Sequence, residues 1–384
     1  PPNAKNNFDG VAESTIGSGN PRFRKSDMGQ RVIAVRPGED IQRAIEEARS
    51  LGGGKVFLTN GTHICRNDLF LYTGITLEGE TGYTTIIDFD GTASSLRIEG
   101  ENVYDTGTIS VDANTTTVTG DLTAWTSDMV GRFMMIQGDF YIISSVNSIT
   151  ELELTFGFAG ANTTGEIYVI SDPQIGTVVS FLTLQNSATH LVKVKNSYIT
   201  FFDKVPLLVG DHGFDVVNTV GLEYFDGDIS LCDVGVYLEN SGAFLITETF
   251  VYDCTSIGLE LVNSGDATII NFGVSNCGDV GVKLSAGSEL LAIIAYTIDT
   301  CGSHGIQLID SNENTFTAGA VRLNGGDGFN VSGTSSRNIF MQHTGLNNNG
   351  AYGVNIEDAT CSQNIISNNI FYDNVTDESN DSGT

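Results

Sequence analysis

The 384-residue chain is poor in cysteine (6), proline (6) and tryptophan (1), and it carries only 18 Lys and Arg against 47 Asp and Glu. Cysteines this sparse, with no CxxC pair, suggest neither a zinc site nor a disulfide-stapled miniprotein. Whether Cys65 and Cys361 pair stays open at this stage. Low proline beside 45 glycines without a triplet period excludes collagen, and abundant Val, Ile, Leu and Phe exclude global disorder. A formal net charge of −29 repels nucleic acid phosphates and anionic lipid alike, so neither is an expected partner. No apolar run approaches the roughly 18 residues of a membrane helix, which speaks against membrane insertion. The opening stretch lacks the apolar core of a secretory leader, so the chain reads as soluble where it is made or as one whose leader was removed.

What the chain has instead is a repeat. CDVGVYL from Cys232, CTSIGLEL from Cys254, CGDVGVKL from Cys277 and CGSHGIQL from Cys301 align on a glycine, and DHGFDV, GGDGFNV and NGAYGVNI are further copies. The anchors Gly213, Gly235, Gly258, Gly281, Gly305, Gly328 and Gly353 are spaced by 22, 23, 23, 24, 23 and 25 residues. After each anchor, apolar residues alternate with variable ones, as in Val236 and Leu238 or Val282 and Leu284. Period two marks a strand with one inward face. The intervening column, Asp215, Tyr237, Glu260, Lys283, Gln307, Asn330 and Asn355, is expected to face outward. Three short strands and three turns per repeat, with no helical period and no leucine-rich LxxLxLxxN frame, predict one coil of a parallel β-helix. Stacking turns each sequence column into a ladder. Cys232, Cys254, Cys277 and Cys301 read as inward corner filling rather than a metal or redox row, since no His or acidic column accompanies them. The anchor glycines mark a bend with no room for a side chain or with positive φ. Asn196, Asn218, Asn240 and Asn263 read as a turn ladder.

Near the amino terminus, Ile41, Ala44, Ile45, Ala48 and Leu51 share one face of a helix that starts near Glu39 and Asp40 and stops at the glycines 52–54. A single amphipathic helix among strands is expected to cap the open end of the solenoid. The run PGEDIQRAIEEA, then GGGKVFLTNGTH, LYTGITLEGE and TIIDFDG, resembles the entry into the pectate-lyase-like right-handed β-helix superfamily, found in polysaccharide lyases and hydrolases and in many phage tailspikes. The resemblance covers residues 35–100 and 173–375 and implies an all-β, right-handed parallel β-helix. It is specific for fold and weak for activity. Residues 104–172 break the rhythm and read as a small inserted antiparallel β module, similar to modules of phage tail proteins. Its Trp125, Phe140 and Tyr141 either bind a carbohydrate or partner or form the module's own core. The resulting domain scheme is an arm (1–34), the cap and first coils (35–103), the module (104–172), the main β-helix (173–375) and an acidic tail (376–384). The arm either runs along a neighbouring subunit of a homotrimer or is a flexible leader.

Chemistry is less legible. From residue 205 onward the only cations are Lys283, Arg322 and Arg337, which argues against a lyase on an anionic polymer unless Ca²⁺ supplies the charge. Hydrolysis of a neutral glycan asks for two carboxylates. Acids are dense between residues 203 and 233, and Asp211, Asp215, Asp226 and Asp228 are the catalytic candidates, with a solvated acidic face as the plainer alternative. Tyr237, His212 and Trp125 are the candidates for substrate contact. GDHG at Gly210 resembles the GHG of polygalacturonases, but the companion motifs are missing and that activity is not carried over. His190 and His212, one repeat apart, are expected to stack, as a metal pair, a general base or ordinary surface histidines; no dedicated metal motif such as HxH or HExxH exists. The leading expectation is an extracellular or virion-surface β-helix, tailspike-like, that binds a surface glycan, with hydrolysis of that glycan left open at this stage. The alternatives are a non-enzymatic structural subunit and, last, a Ca²⁺-dependent polysaccharide lyase.

Overall fold

The computed structural model describes residues 31–383. Most of the arm, residues 1–30, lies outside the described residues, and its last residues enter a strand, Val32–Val35.

The alternation after each anchor builds a strand, and the repeat length stacks it. Val236 pairs with Leu259, Leu259 with Val282, Val282 with Ile306, Ile306 with Phe329 and Phe329 with Val354, all in parallel. Three such sheets form the solenoid. Sheet 1 carries the post-anchor strands, from Leu69–Phe70 through Leu96–Glu99, His190–Lys195 and Tyr352–Ile356 to Asp377–Asp381. Sheet 2 runs from Val32–Val35 through Gly54–Leu58 and Ile75–Gly79 to Ile365–Ser367. Sheet 3 runs from Gly61–Ile64 through Thr183–Gln185 to Phe371–Tyr372. One continuous apolar column fills the interior. Phe316, Phe329 and Phe340 pack there with ring centroids 4.9 to 5.6 Å apart, each ring contributing about 1.5–3 kcal/mol through burial.

The corners are where the sequence is most constrained. The anchors Gly235, Gly258 and Gly281 do not need positive φ; they need room. A Cβ on Gly258 would sit 2.5 Å from Val274 Cγ1, 2.7 Å from the Gly281 carbonyl oxygen and 3.3 Å from Cys277 Sγ. The cysteine of the next coil therefore fills the space that the glycine leaves. Left-handed backbone occurs at the asparagine column instead, with φ of 50°, 51°, 48° and 47° at Asn196, Asn218, Asn240 and Asn263. Asparagine tolerates this region better than most residues, and Asn263 Nδ2 donates to Asn240 Oδ1 at 2.8 Å.

All six cysteines are free. Their column then changes chemistry: Cys301 N donates to Asn324 Oδ1 (3.0 Å), Asn324 Nδ2 to Asn349 Oδ1 (3.0 Å) and Asn349 Nδ2 to Asn374 Oδ1 (3.1 Å). A second buried amide ladder links Asn314, Asn338 and Asn364 at 3.1 Å per step. These ladders satisfy corner amides that would otherwise be buried unpaired, at a cost of about 1–3 kcal/mol each. They escape a reading that follows the cysteines alone, because the column switches residue type.

The capping helix α1 spans Ile41–Ser50; Asp40 caps it by accepting from Arg43 N at 3.0 Å. Ile41, Ala44, Ile45 and Ala48 are buried on the first coil. Leu51, expected on that face, is the C-cap residue and 46% exposed. The chain leaves the solenoid after Leu96–Glu99 and forms an eight-stranded antiparallel sheet from Glu101–Tyr104 to Val169–Asp172. This module has its own core of Ile109, Val118, Met134, Leu152, Phe158 and Trp125. Phe140 leaves that core and meets the solenoid at Tyr198, centroids 5.8 Å apart. The region expected as a tail also differs: Asp377–Asp381 is a strand, with Tyr352 opposite Asp377 and Asn355 opposite Asn380. Backbone pairing on the last coil needs no apolar side chains, so hydropathy does not register it.

Two outcomes follow from the corners. Gly258→Ala is expected to cost about 1–3 kcal/mol by overpacking, read as a lower thermal unfolding midpoint. Burial pushes the Cys232 thiol up to about 12 and the Cys65 thiol up to about 11, while the neighbouring Cys254 thiol and burial raise Cys277 to about 12. The native chain should therefore give almost no colour with a thiol reagent at neutral pH, and six equivalents after guanidinium unfolding.

Candidate functional site on the outer face of sheet 1

Parallel register carries one outward column across successive coils. Arg97 lies opposite Lys193, Lys193 opposite Asp215, Asp215 opposite Tyr237 and Tyr237 opposite Glu260. At the start of the same strands His190 lies opposite His212. Charged, imidazole and phenol groups from three coils thus meet on one flank.

Lys193 Nζ is 3.1 Å from Asp215 Oδ2, and His190 Nε2 is 3.6 Å from the same oxygen. The His190 and His212 rings meet edge to face at 4.9 Å, and the His212 and Tyr237 rings at 5.8 Å. His212 Nδ1 lies 3.1 Å from Asp211 Oδ2, and the Tyr237 hydroxyl donates to Glu239 Oε2 at 3.2 Å. Asp215 is 7% exposed, His190, Lys193, His212 and Tyr237 are half-buried, and Asp211 is exposed. Burial lowers the His190 pKa against the opposing pull of Asp215, with His212 and Lys193 adding to the lowering. Burial and Glu239 push the Tyr237 phenol up to about 12.

Asp211, Asp215, His212 and Tyr237 are thus brought together. Asp226 and Asp228 join other groups: Asp226 pairs with Lys204, and Asp228 accepts from the Tyr83 hydroxyl at 3.0 Å. Their closeness to Asp215 in sequence is undone by the coil, which sends consecutive segments to different sheets. Trp125 is 1% exposed in the module core and donates from Nε1 to the Tyr168 hydroxyl at 2.9 Å, so its ring is not available to a ligand. Lys283, Arg322 and Arg337 pair singly with Glu260, Asp299 and Glu313. The cation that matters, Lys193, lies in the coil before residue 205. Stepping back 22 residues from Asp215 finds it.

Further along the column the outward residues are not all solvated. Asn330 is 2% exposed and donates to Asp327 Oδ2 (2.9 Å) and Glu357 Oε1 (2.8 Å). Among the described residues, the one group of three His, Cys, Asp or Glu side chains within ligating distance of one another is His190, Asp211 and His212. Its two imidazoles do not suit Ca²⁺, which takes oxygen ligands. Chemically, the patch offers hydrogen bonds to hydroxyls, a positive charge at Lys193 and imidazoles able to move a proton.

Residues 182–371 match the family model "Right handed beta helix region". No curated protein matches the chain in sequence. Among solved structures, the A-module of mannuronan C-5 epimerase AlgE6 of Azotobacter vinelandii is 14% identical, with 89% of this chain and 93% of that chain covered and a TM-score of 0.56. The A-module of AlgE4 from the same organism is 13% identical over 92% and 96% of the two chains, with a TM-score of 0.53. The tailspike gp61 of Pseudomonas phage phi297 is 12% identical over 85% and 66%, with a TM-score of 0.49. With the glycine anchors in vertical register and three parallel sheets around one core, the chain has the right-handed parallel β-helix fold.

Proposed function

We propose that this chain is a glycan-binding protein of an extracellular or virion surface, and that the sugar lies on the outer face of sheet 1 around Lys193, Asp215 and Tyr237. The convergence of these three side chains from successive coils carries the reading. Coils rise about 4.8 Å apart, so an extended polymer running along the solenoid axis meets a fresh set of side chains at every step. Tyr237 offers an amphipathic ring, Asp215 an acceptor held in place by Lys193, and His190 and His212 groups that can take or give a proton.

The geometry favours proton transfer over glycoside hydrolysis. Hydrolysis uses two carboxylates, one of them a proton donor, whereas here Asp215 faces an ammonium and an imidazole and Asp211 lies against the His212 imidazole. A Lys beside a His suits a sugar that bears its own carboxylate: the ammonium offsets that charge while the imidazole works on the adjacent carbon. The epimerase A-modules that share the fold are named for mannuronan, which makes uronate polymers the first class to test.

Binding is measured by calorimetry against mannuronan and a panel of neutral and acidic bacterial surface polysaccharides, with proton NMR and ultraviolet absorbance of unsaturated uronate reading turnover. Lys193→Ala and Tyr237→Ala are expected to weaken binding at least about tenfold, in line with the loss of a charged or aromatic contact. A chain that binds no member of the panel, or binds equally well in both variants, overturns the reading and leaves a structural subunit. Trp125→Phe separates the module from the site: removing its hydrogen bond should lower the unfolding midpoint by an amount corresponding to about 1 kcal/mol and leave sugar affinity unchanged.

A further inference from the structure

We propose that His190, Asp211 and His212 form a binding site for a borderline divalent cation of the Zn²⁺ class. The ligating atoms of the three side chains all lie within 4.8 Å of one another. Register makes the group: His190 comes from one coil, and Asp211 and His212 come from the next, where His212 lies directly opposite His190. Asp211 Oδ2 and His212 Nδ1 are 3.1 Å apart. Two ligands bound tetrahedrally at about 2.0–2.1 Å stand roughly 3.3–3.5 Å apart, so this pair needs almost no adjustment. Bringing in His190 needs a shift of about 1 Å toward that tetrahedral spacing, and the half-buried His212 and exposed Asp211 are free to make it.

A second observation points the same way. His190 Nδ1 is buried and has no hydrogen-bond partner among the described residues. Its other ring nitrogen faces Asp215 at 3.6 Å, and Lys193 holds Asp215 in turn at 3.1 Å. A carboxylate behind an imidazole fixes the ring and raises the basicity of the opposite nitrogen, the arrangement that supports metal-bound histidines. The His190 ring thus keeps one nitrogen with no partner among the described residues and has the Lys193–Asp215 pair beside the other.

Donor type selects the ion. Two imidazoles and one carboxylate suit Zn²⁺ and its transition-metal neighbours and give no advantage to Ca²⁺ or Mg²⁺, which prefer all-oxygen surroundings. Three protein ligands leave a fourth position for water or a ligand oxygen. One consequence rests on the glycan reading: a bound ion occupies both imidazoles and withdraws them from proton transfer, so zinc suppresses turnover while adding positive charge beside the sugar. The site itself stands without any sugar.

The test uses the full chain stripped with EDTA and desalted, titrated calorimetrically with ZnCl₂ and, separately, CaCl₂ in a non-coordinating buffer without glycan. The expected result is one Zn²⁺ per chain and no heat with Ca²⁺. His190→Ala and His212→Ala should each weaken zinc binding at least about tenfold, and Asp215→Asn, which keeps every ligand but removes the support behind His190, by about 10–100-fold. His304→Gln, at an imidazole just before the strand Ile306–Ile309 and paired with Asp327, should leave it unchanged. Circular dichroism checks that each variant is folded, and Asp211→Asn, at an exposed position, replaces any variant that is not. A wild-type chain that takes up no zinc, or one whose affinity is intact in the folded ligand variants, overturns the site. Sugar binding plays no part in this readout, so failure of the glycan reading and failure of the metal site are separate results.

Discussion

Parallel pairing between coils is the constraint on which the rest depends. Each strand spends its backbone hydrogen bonds on the coil below and the coil above, at about 4.8 Å per step. A residue's closest neighbours are then the residues one repeat before and after it. Local sequence decides which side of the wall a residue faces, and register decides what it meets. The apolar columns, the cysteine corner, the amide ladders and the polar patch around Asp215 are four results of this one geometry.

That geometry also explains which features were legible. Anchor spacing and period-two alternation are carried by many residues at once, so the solenoid, its inward columns and the facing of His190 on His212 could be read directly. The capping helix was legible through Asp40 and the glycines that stop it, apart from Leu51, which the last turn rotates outward. The candidate site was legible only in part. Asp226 and Asp228 are close to Asp215 in the chain, which groups them on sequence grounds, yet a coil of about two dozen residues spreads such neighbours over different sheets. Lys193 was missed for the converse reason: it is a contact neighbour at a distance of one repeat. Trp125 shows a further limit, because a lone aromatic in a small module serves the core before it serves a ligand.

Polar groups inside the wall are arranged as strictly as apolar ones. The corner that four coils fill with thiols is filled in later coils by Asn324, Asn349 and Asn374, each amide donating to the next. The exchange keeps the volume small and transfers the bonding from side-chain packing to a chain of amides. Serine does the same at another corner, where Ser241 N donates to Ser264 Oγ and Ser264 N to Ser288 Oγ. Such ladders favour one register over its neighbours, since a slip by one residue would leave every rung unpaired.

The place where the inserted module joins the solenoid has a consequence for how such chains diversify. Lys195 pairs with Glu99 and Ser180 with Glu78, so the coils on either side of the excursion stack as though nothing intervened. Gln174 Nε2, at the point of return, donates to the Glu99 carbonyl at 3.0 Å, at the point of departure. The two ends are stitched together within the wall itself. A cassette of different shape, spliced in at this seam with its termini equally close, would leave the winding of the host undisturbed, so accessory domains can be traded here without renegotiating the stack.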